Sequence, residues 1–160
     1  MHVIKCAADM AVMRRQIDAV SLKSIPDGSG SAHFGGPEGW IHGLSTSHIS
    51  TYTCPEIWDA ICALQDELKL GDVEQVLLNC LQAGSEFGRH RDGLPDNARF
   101  HLPIQTSDSA WWWDELNGTV HMRHGYWYGP MPYCGILHAV GNPSENDRIH
   151  LIVDFKRKGK

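Results

Sequence analysis

Residues 78–104, LNCLQAGSEFGRHRDGLPDNARFHLPI, decide the fold. The segment opens inside an apolar run, 74–82, and closes inside another, 98–106; both read as β-strands. Between them stand Gly84, Gly88, Gly93 and Pro95, residues that form turns. Downstream the pattern repeats, with strands expected at 119–123, 126–128, 135–140 and 148–155, punctuated by Gly118, Gly129, Pro130, Gly141 and Pro143. Short strands separated by such turns predict a mainly β fold, a β-sandwich or jelly roll. Upstream the period changes. Met10, Val12, Met13, Ile17 and Val20 form a helical stripe within 7–20. Pro55 opens a second helix, expected over 53–70, whose apolar positions are Ile57, Ile61, Leu64 and Leu68, with Gly71 past its end. These helices are expected to pack outside the sheets. The Gly/Ser-rich stretch 25–36 reads as a loop.

The chain of 160 residues suits one domain, with 1–70 as support and 71–156 as the β core. A formal net charge of −5 weighs against nucleic acid as a partner, despite the basic stretch 156–160. No apolar run approaches the roughly 18 residues of a membrane span, and no signal peptide is legible. The five cysteines (Cys6, Cys54, Cys62, Cys80, Cys134) are odd in number and contain no Cys-x-x-Cys, as expected of a reduced, cytoplasmic protein.

Ten histidines are many for this length. His90 and Asp92 are two residues apart, so in a strand both would face one side. His138 follows near the end of another expected strand. Two histidines and one carboxylate on one face, with positions left open, is the ligand set of non-haem Fe(II) oxygenases. The motif alone carries little, because about one His-x-Asp arises by chance from this composition.

More is carried by 78–104 together with 134–155, CGILHAVGNPSENDRIHLIVDF. Gly84 precedes His90 by six residues, and Arg99 follows it by nine within Arg99-Phe100-His101-Leu102. Asn142 follows His138, and Arg148 lies ten residues after His138, opening the run Arg148–Phe155. This pattern resembles the aspartyl/asparaginyl β-hydroxylase family of Fe(II)- and 2-oxoglutarate-dependent dioxygenases, whose fold is a cupin-like double-stranded β-helix. The resemblance covers about half the chain. It implies that His90 and His138 bind iron, that Arg99 and Arg148 hold the carboxylates of 2-oxoglutarate, and that Asn79 and His101 line the co-substrate site. The best-known animal members have glycine where this chain has Asp92. Other members, small amino-acid hydroxylases among them, keep the full His-x-Asp…His set, and Asp92 is then the third ligand.

The residue chemistry agrees with that reading. A dianionic keto acid needs fixed positive charge, and arginine offers a fork that fits a carboxylate. Arg148 and His150 alternate on one strand and would both face the interior; otherwise Arg148 would pair with Asp147 or Glu145 near the surface.

Trp111-Trp112-Trp113 cannot place three indoles on one strand face. Trp111, Trp113, His121 and Trp127 are the candidates for contacting substrate, while His33, His42 and His48 lie in a segment that could close over the site. The resemblance implies a hydroxylase acting on a C–H bond of a small amino acid, a related metabolite or a short peptide, with succinate and CO2 as co-products. The competing expectation is a non-catalytic jelly-roll module that binds a metal or ligand.

Overall fold

The computed structural model describes residues 1–19, 55–93 and 96–158. The loop expected at 25–36, the lid histidines His33, His42 and His48, and Cys54 lie outside them. The elements, in chain order, are β1 (His2–Lys5), α1 (Met10–Ala19), α2 (Pro55–Leu68), β2 (Val73–Leu81), β3 (Ser85–His90), β4 (Ala98–Gln105), β5 (Trp111–Asp114), β6 (Gly118–Val120), β7 (Tyr126–Met131), β8 (His138–Asn142) and β9 (Arg148–Phe155). The strands form two antiparallel sheets, ordered β1-β7-β4-β9-β2 and β3-β8-β5-β6. They are packed as a jelly roll, as expected.

Both helices lie where their apolar stripes predict. Asp9 caps α1, its Oδ1 accepting from the amides of Ala11 and Val12 at 2.8 and 3.1 Å, which satisfies donors with no partner inside the helix. Met13 and Ile17 of α1, and Ile57, Ala60, Ile61 and Leu64 of α2, bury themselves against the outer face of the five-stranded sheet. α2 ends at Leu68, and Gly71 lies past its end as expected. Lys69, not Gly71, takes the left-handed conformation, at φ 54°. Gly71 is needed for another reason: a Cβ there would collide with the carbonyl oxygen of Lys156.

The inner strand β9, between β4 and β2, explains how a polar site is built inside this fold. All eight of its residues are buried. Ile149, Leu151, Val153 and Phe155 point to the helices and join the main core. The alternate positions, Arg148, His150, Ile152 and Asp154, therefore point between the sheets. Strand β4 divides the same way, with Ala98, Phe100, Leu102 and Ile104 toward the helices and Arg99 and His101 inward. The second apolar cluster, Leu81, Phe87, Trp112, Met122, Tyr128, Met131 and Val140, fills the space between the sheets beside these polar groups.

Several boundaries differ from expectation. β1 was not expected; it is a four-residue edge strand, mostly exposed, too short to show a period. β3 runs through Gly88, and β7 through Gly129 and Pro130, all read as turn formers. The strand expected at 135–140 is displaced to His138–Asn142, and that at 119–123 to Gly118–Val120.

Candidate active site

β3 and β8 pair antiparallel, with His90 directly opposite His138. Their ring centroids are 4.2 Å apart. Asp92 joins them from beyond the end of β3, tied down by a single bridge to Cys134. His90 and Asp92 therefore do not share one regular strand face, as expected from their spacing; the strand stops at His90 and the chain turns to bring the carboxylate in. One ligand atom from each of His90, Asp92 and His138 lies within 4.8 Å of the others. Asp92 Oδ1 is 3.5 Å from His90 Nε2, and Asp92 Oδ2 is 3.8 Å from His138 Nε2.

The donor chemistry fits a divalent metal. The Gly88 carbonyl accepts from His90 Nδ1–H at 2.7 Å, and the Ile136 carbonyl accepts from His138 Nδ1–H at 2.8 Å. A carbonyl can only accept, so both Nδ1 atoms carry the proton and both Nε2 lone pairs face the gap. Burial lowers the pKa of His138, keeping that ring neutral and able to ligate.

The inner face of the five-stranded sheet supplies a second group. Arg148 is buried, and among the described residues it meets no carboxylate: its Nη1 donates to Asn79 Oδ1 at 3.3 Å and its Nη2 to His150 Nδ1 at 3.0 Å. Asp147, a candidate surface partner, instead accepts from the Ala83 amide at 3.0 Å. Burial pulls the Arg148 guanidinium down to about 9, still charged at neutral pH. The surrounding polar atoms are unsatisfied. Asn79 Nδ2, both ring nitrogens of His101 and His150 Nε2 are buried without a partner. Because His150 Nδ1 accepts from Arg148, its proton sits on Nε2, so this atom is an idle donor. Burial, then the nearby Arg148 charge, holds both His101 and His150 well below the usual histidine range, so both rings are neutral. Unsatisfied buried donors around an uncompensated guanidinium are costly unless an anion completes them. The arrangement fits an acidic co-substrate.

Arg99 has other partners than expected. Its Nε and Nη2 donate to Oδ1 and Oδ2 of buried Asp154 at 2.8 and 2.9 Å, and its Nη1 donates to Asp92 Oδ2 at 3.1 Å. Its guanidinium carbon lies 3.7 Å from the centroid of the Tyr133 ring. Each of its three nitrogens thus has a carboxylate partner, which uses three of its five N–H donors.

The four candidate substrate contacts do not gather at the metal-ligand cluster. On β5 the inward indole is Trp112, stacked on His138 with centroids 4.9 Å apart and planes 13° from parallel, and edge-on to His101 at 5.3 Å. Its Nε1 donates to fully buried Asp114 at 3.1 Å. Alternation then puts Trp111 and Trp113 on the outer face, where they line an open depression of about 560 Å³ with His121, Arg89 and Thr119. Trp127 packs in the main core on the helix side. Trp112 is the residue the sequence reading missed. Alternation made it the odd one of three, but which face is inward is set by the pairing of β5 with β8. Asn142 is structural: its Nδ2 donates to the carbonyls of Leu81, Gln82 and Asn146 at 3.0, 3.1 and 2.8 Å.

Solved structures share this architecture. A prolyl hydroxylase from Trichoplax adhaerens, in complex with a peptide fragment of the hypoxia inducible factor oxygen degradation domain, superposes with a TM-score of 0.62 at 13% identity, over 98% of this chain and 83% of that one. The viral collagen prolyl hydroxylase of Paramecium bursaria Chlorella virus-1, a 2-oxoglutarate complex, gives 0.61 at 12% identity, over 96% and 94%. At such identities the likeness is one of fold. No curated protein sequence matches the chain. The family described as aspartyl/asparaginyl beta-hydroxylase matches residues 45–158, well over half of the sequence, and the chain belongs to that family.

Proposed function

We propose that this protein is an Fe(II)- and 2-oxoglutarate-dependent dioxygenase that hydroxylates a C–H bond of a small amino acid, a related metabolite or a short peptide. His90, Asp92 and His138 would hold Fe(II), a set that leaves positions open as this chemistry needs. Arg148, with Asn79 and His101, would hold the co-substrate. When bound, the metal and keto acid would together supply O2 activation, one oxygen atom going to the substrate and the other to succinate, alongside CO2.

The observation that carries the reading is Arg148: a buried cation with no carboxylate partner among the described residues, ringed by idle donors and set beside a His/Asp/His cluster. A module that only binds metal has no use for it, which disfavours that form of the non-catalytic alternative; turnover to succinate separates the enzyme from a module that merely binds an anion. The chain's own contribution is positional. The carbonyls of Gly88 and Ile136 orient both imidazoles, Trp112 stacks on His138, and neutral His101 and His150 offer hydrogen bonds without adding charge.

Adding 2-oxoglutarate anaerobically to the Fe(II)-loaded protein should raise a weak visible charge-transfer band, and with O2 the protein should release succinate. His138→Ala should lose the band and the succinate together. Undiminished succinate release from that variant would refute the assignment.

A further inference from the structure

His90 is the last residue of β3. His138 is the first of β8 and pairs on its other side with Asp114, the last of β5. Both histidines therefore sit where the ladder of β3, β8 and β5 runs out. Strand ends are held by few main-chain bonds and open readily, so the spacing of the two rings depends on what lies beyond the strands. Beyond β8, on the side of His138, lie residues 135–137, which lead in from β7.

Every polar main-chain group of 135–137 has a partner. Gly135 N donates to the Asp92 carbonyl at 2.8 Å, Ile136 N donates to the Tyr133 carbonyl at 3.3 Å, and the Leu137 carbonyl accepts from the Glu115 amide at 3.0 Å. The Ile136 carbonyl accepts from His138 Nδ1–H at 2.8 Å and so sets that ring. The two remaining groups are held by Arg91 and Glu115. The Gly135 carbonyl accepts from Arg91 Nη1 at 2.6 Å, and the Leu137 amide donates to Glu115 Oε1 at 2.9 Å. Arg91 and Glu115 also meet fork to fork, Nη1 with Oε1 and Nη2 with Oε2. Ile136 thus lies between two side-chain anchors that are joined to each other. Arg91 itself stands between His90 and Asp92 in the chain. One ion pair ties the segment carrying two of the cluster residues to the segment that orients the third.

We propose that Arg91 and Glu115 form a clasp that positions His138 against His90 and Asp92, and that both are positioning residues of the metal centre. The role rests on the reading of His90, Asp92 and His138 as that centre. The two side chains are 49% and 34% exposed, and exposed ion pairs contribute little to global stability. The clasp therefore acts on local geometry. Without it the Gly135 carbonyl and the Leu137 amide turn to water, and the Ile136 carbonyl between them loses its fixed direction. Arg89, on the other side of His90, offers a contrast within the same segment. Its guanidinium carbon lies 4.4 Å from the centroid of the Trp113 ring, at the outer depression, and it bonds to none of these groups.

Co(II) is the probe. Calorimetric titration of Co(II) into the metal-stripped full chain gives the affinity, and its visible bands report the ligand geometry. Arg91→Met and Glu115→Ala should each weaken Co(II) by about tenfold and change the bands. Each should move the melting temperature of the metal-free protein by no more than about 4 °C. The double variant should lose less than the product of the two single losses, because both act through one clasp. Arg91→Lys should recover only part of the affinity, since one ammonium cannot span both Glu115 oxygens and the Gly135 carbonyl. Arg89→Met removes the same charge equally near His90 in the chain and should not weaken Co(II). Unchanged Co(II) affinity and bands in both Arg91→Met and Glu115→Ala would overturn the proposal. So would an equal loss in Arg89→Met, which would trace the effect to charge rather than to the clasp. Absence of Co(II) binding by the unaltered protein would instead overturn the metal centre itself.

Discussion

At the scale of single residues, the two arginines that look equivalent in sequence have opposite environments. Arg99 is neutralised by Asp154 and Asp92, while Arg148 faces neutral partners only. Isolated buried charge destabilises a fold, and under the proposed function the bound co-substrate would offset that cost at Arg148. Arg148→Met should therefore leave the melting temperature of the ligand-free protein unchanged or raise it, while weakening 2-oxoglutarate by at least about 30-fold, the low end for losing one partner of a buried charge pair. A structural arginine would behave oppositely, with the variant losing about 3–5 kcal/mol of stability. Differential scanning fluorimetry with and without the keto acid separates the two. The inward position of Arg148 was legible from its alternation with His150. That Asp147 turns away to the Ala83 amide was not, because that bond joins residues 64 apart in sequence.

At the scale of elements, β5 shows how one strand serves two faces. Its centre, Trp112, stacks on His138 and hydrogen-bonds to Asp114 beneath it. Its flanks, Trp111 and Trp113, lie outside. Trp111 covers Gly141, where a Cβ would run into the indole, so that glycine in β8 permits the close approach. Trp112→Ala should cost about 3–5 kcal/mol in urea denaturation and weaken metal binding by loosening His138. Trp111→Ala and Trp113→Ala should each cost less and leave metal affinity unchanged. Equal metal affinity in all three variants would contradict the inward placement of Trp112. The helices, by contrast, were readable in both place and face, since their stripes meet a purely apolar sheet surface and nothing competes with the period.

At the scale of the whole molecule, the polar layer between the sheets makes stability depend on pH. His101 and His150 stay neutral when folded, chiefly through burial. In the unfolded chain such rings titrate near 6.5. As pH falls below about 6.5 the unfolded chain binds protons that the folded one refuses, so their contribution is complete above that pH and lost on acidification. The loss approaches about 1.4 kcal/mol per pH unit for each ring. Urea midpoints measured from pH 7.5 to 5.5 should fall, and His150→Gln should fall less steeply. Identical slopes would show that His150 is not held neutral.

Sequence by itself determined the fold class and both helices, because these rest on local periodicity; the trio His90, Asp92 and His138 came from the resemblance, and the structure brings one ligand atom of each within 4.8 Å of the others. Alternation along the strands also put His101 and Arg148 on inward-facing positions. Only the tertiary structure decided which arginine meets a carboxylate, which indole stacks on His138 and what Asp92 contacts. Those outcomes depend on register between strands distant in sequence, Arg99 opposite Asp154 and His90 opposite His138. A shift of one residue in either pairing would send every side chain to the other face, and no local pattern records which register won.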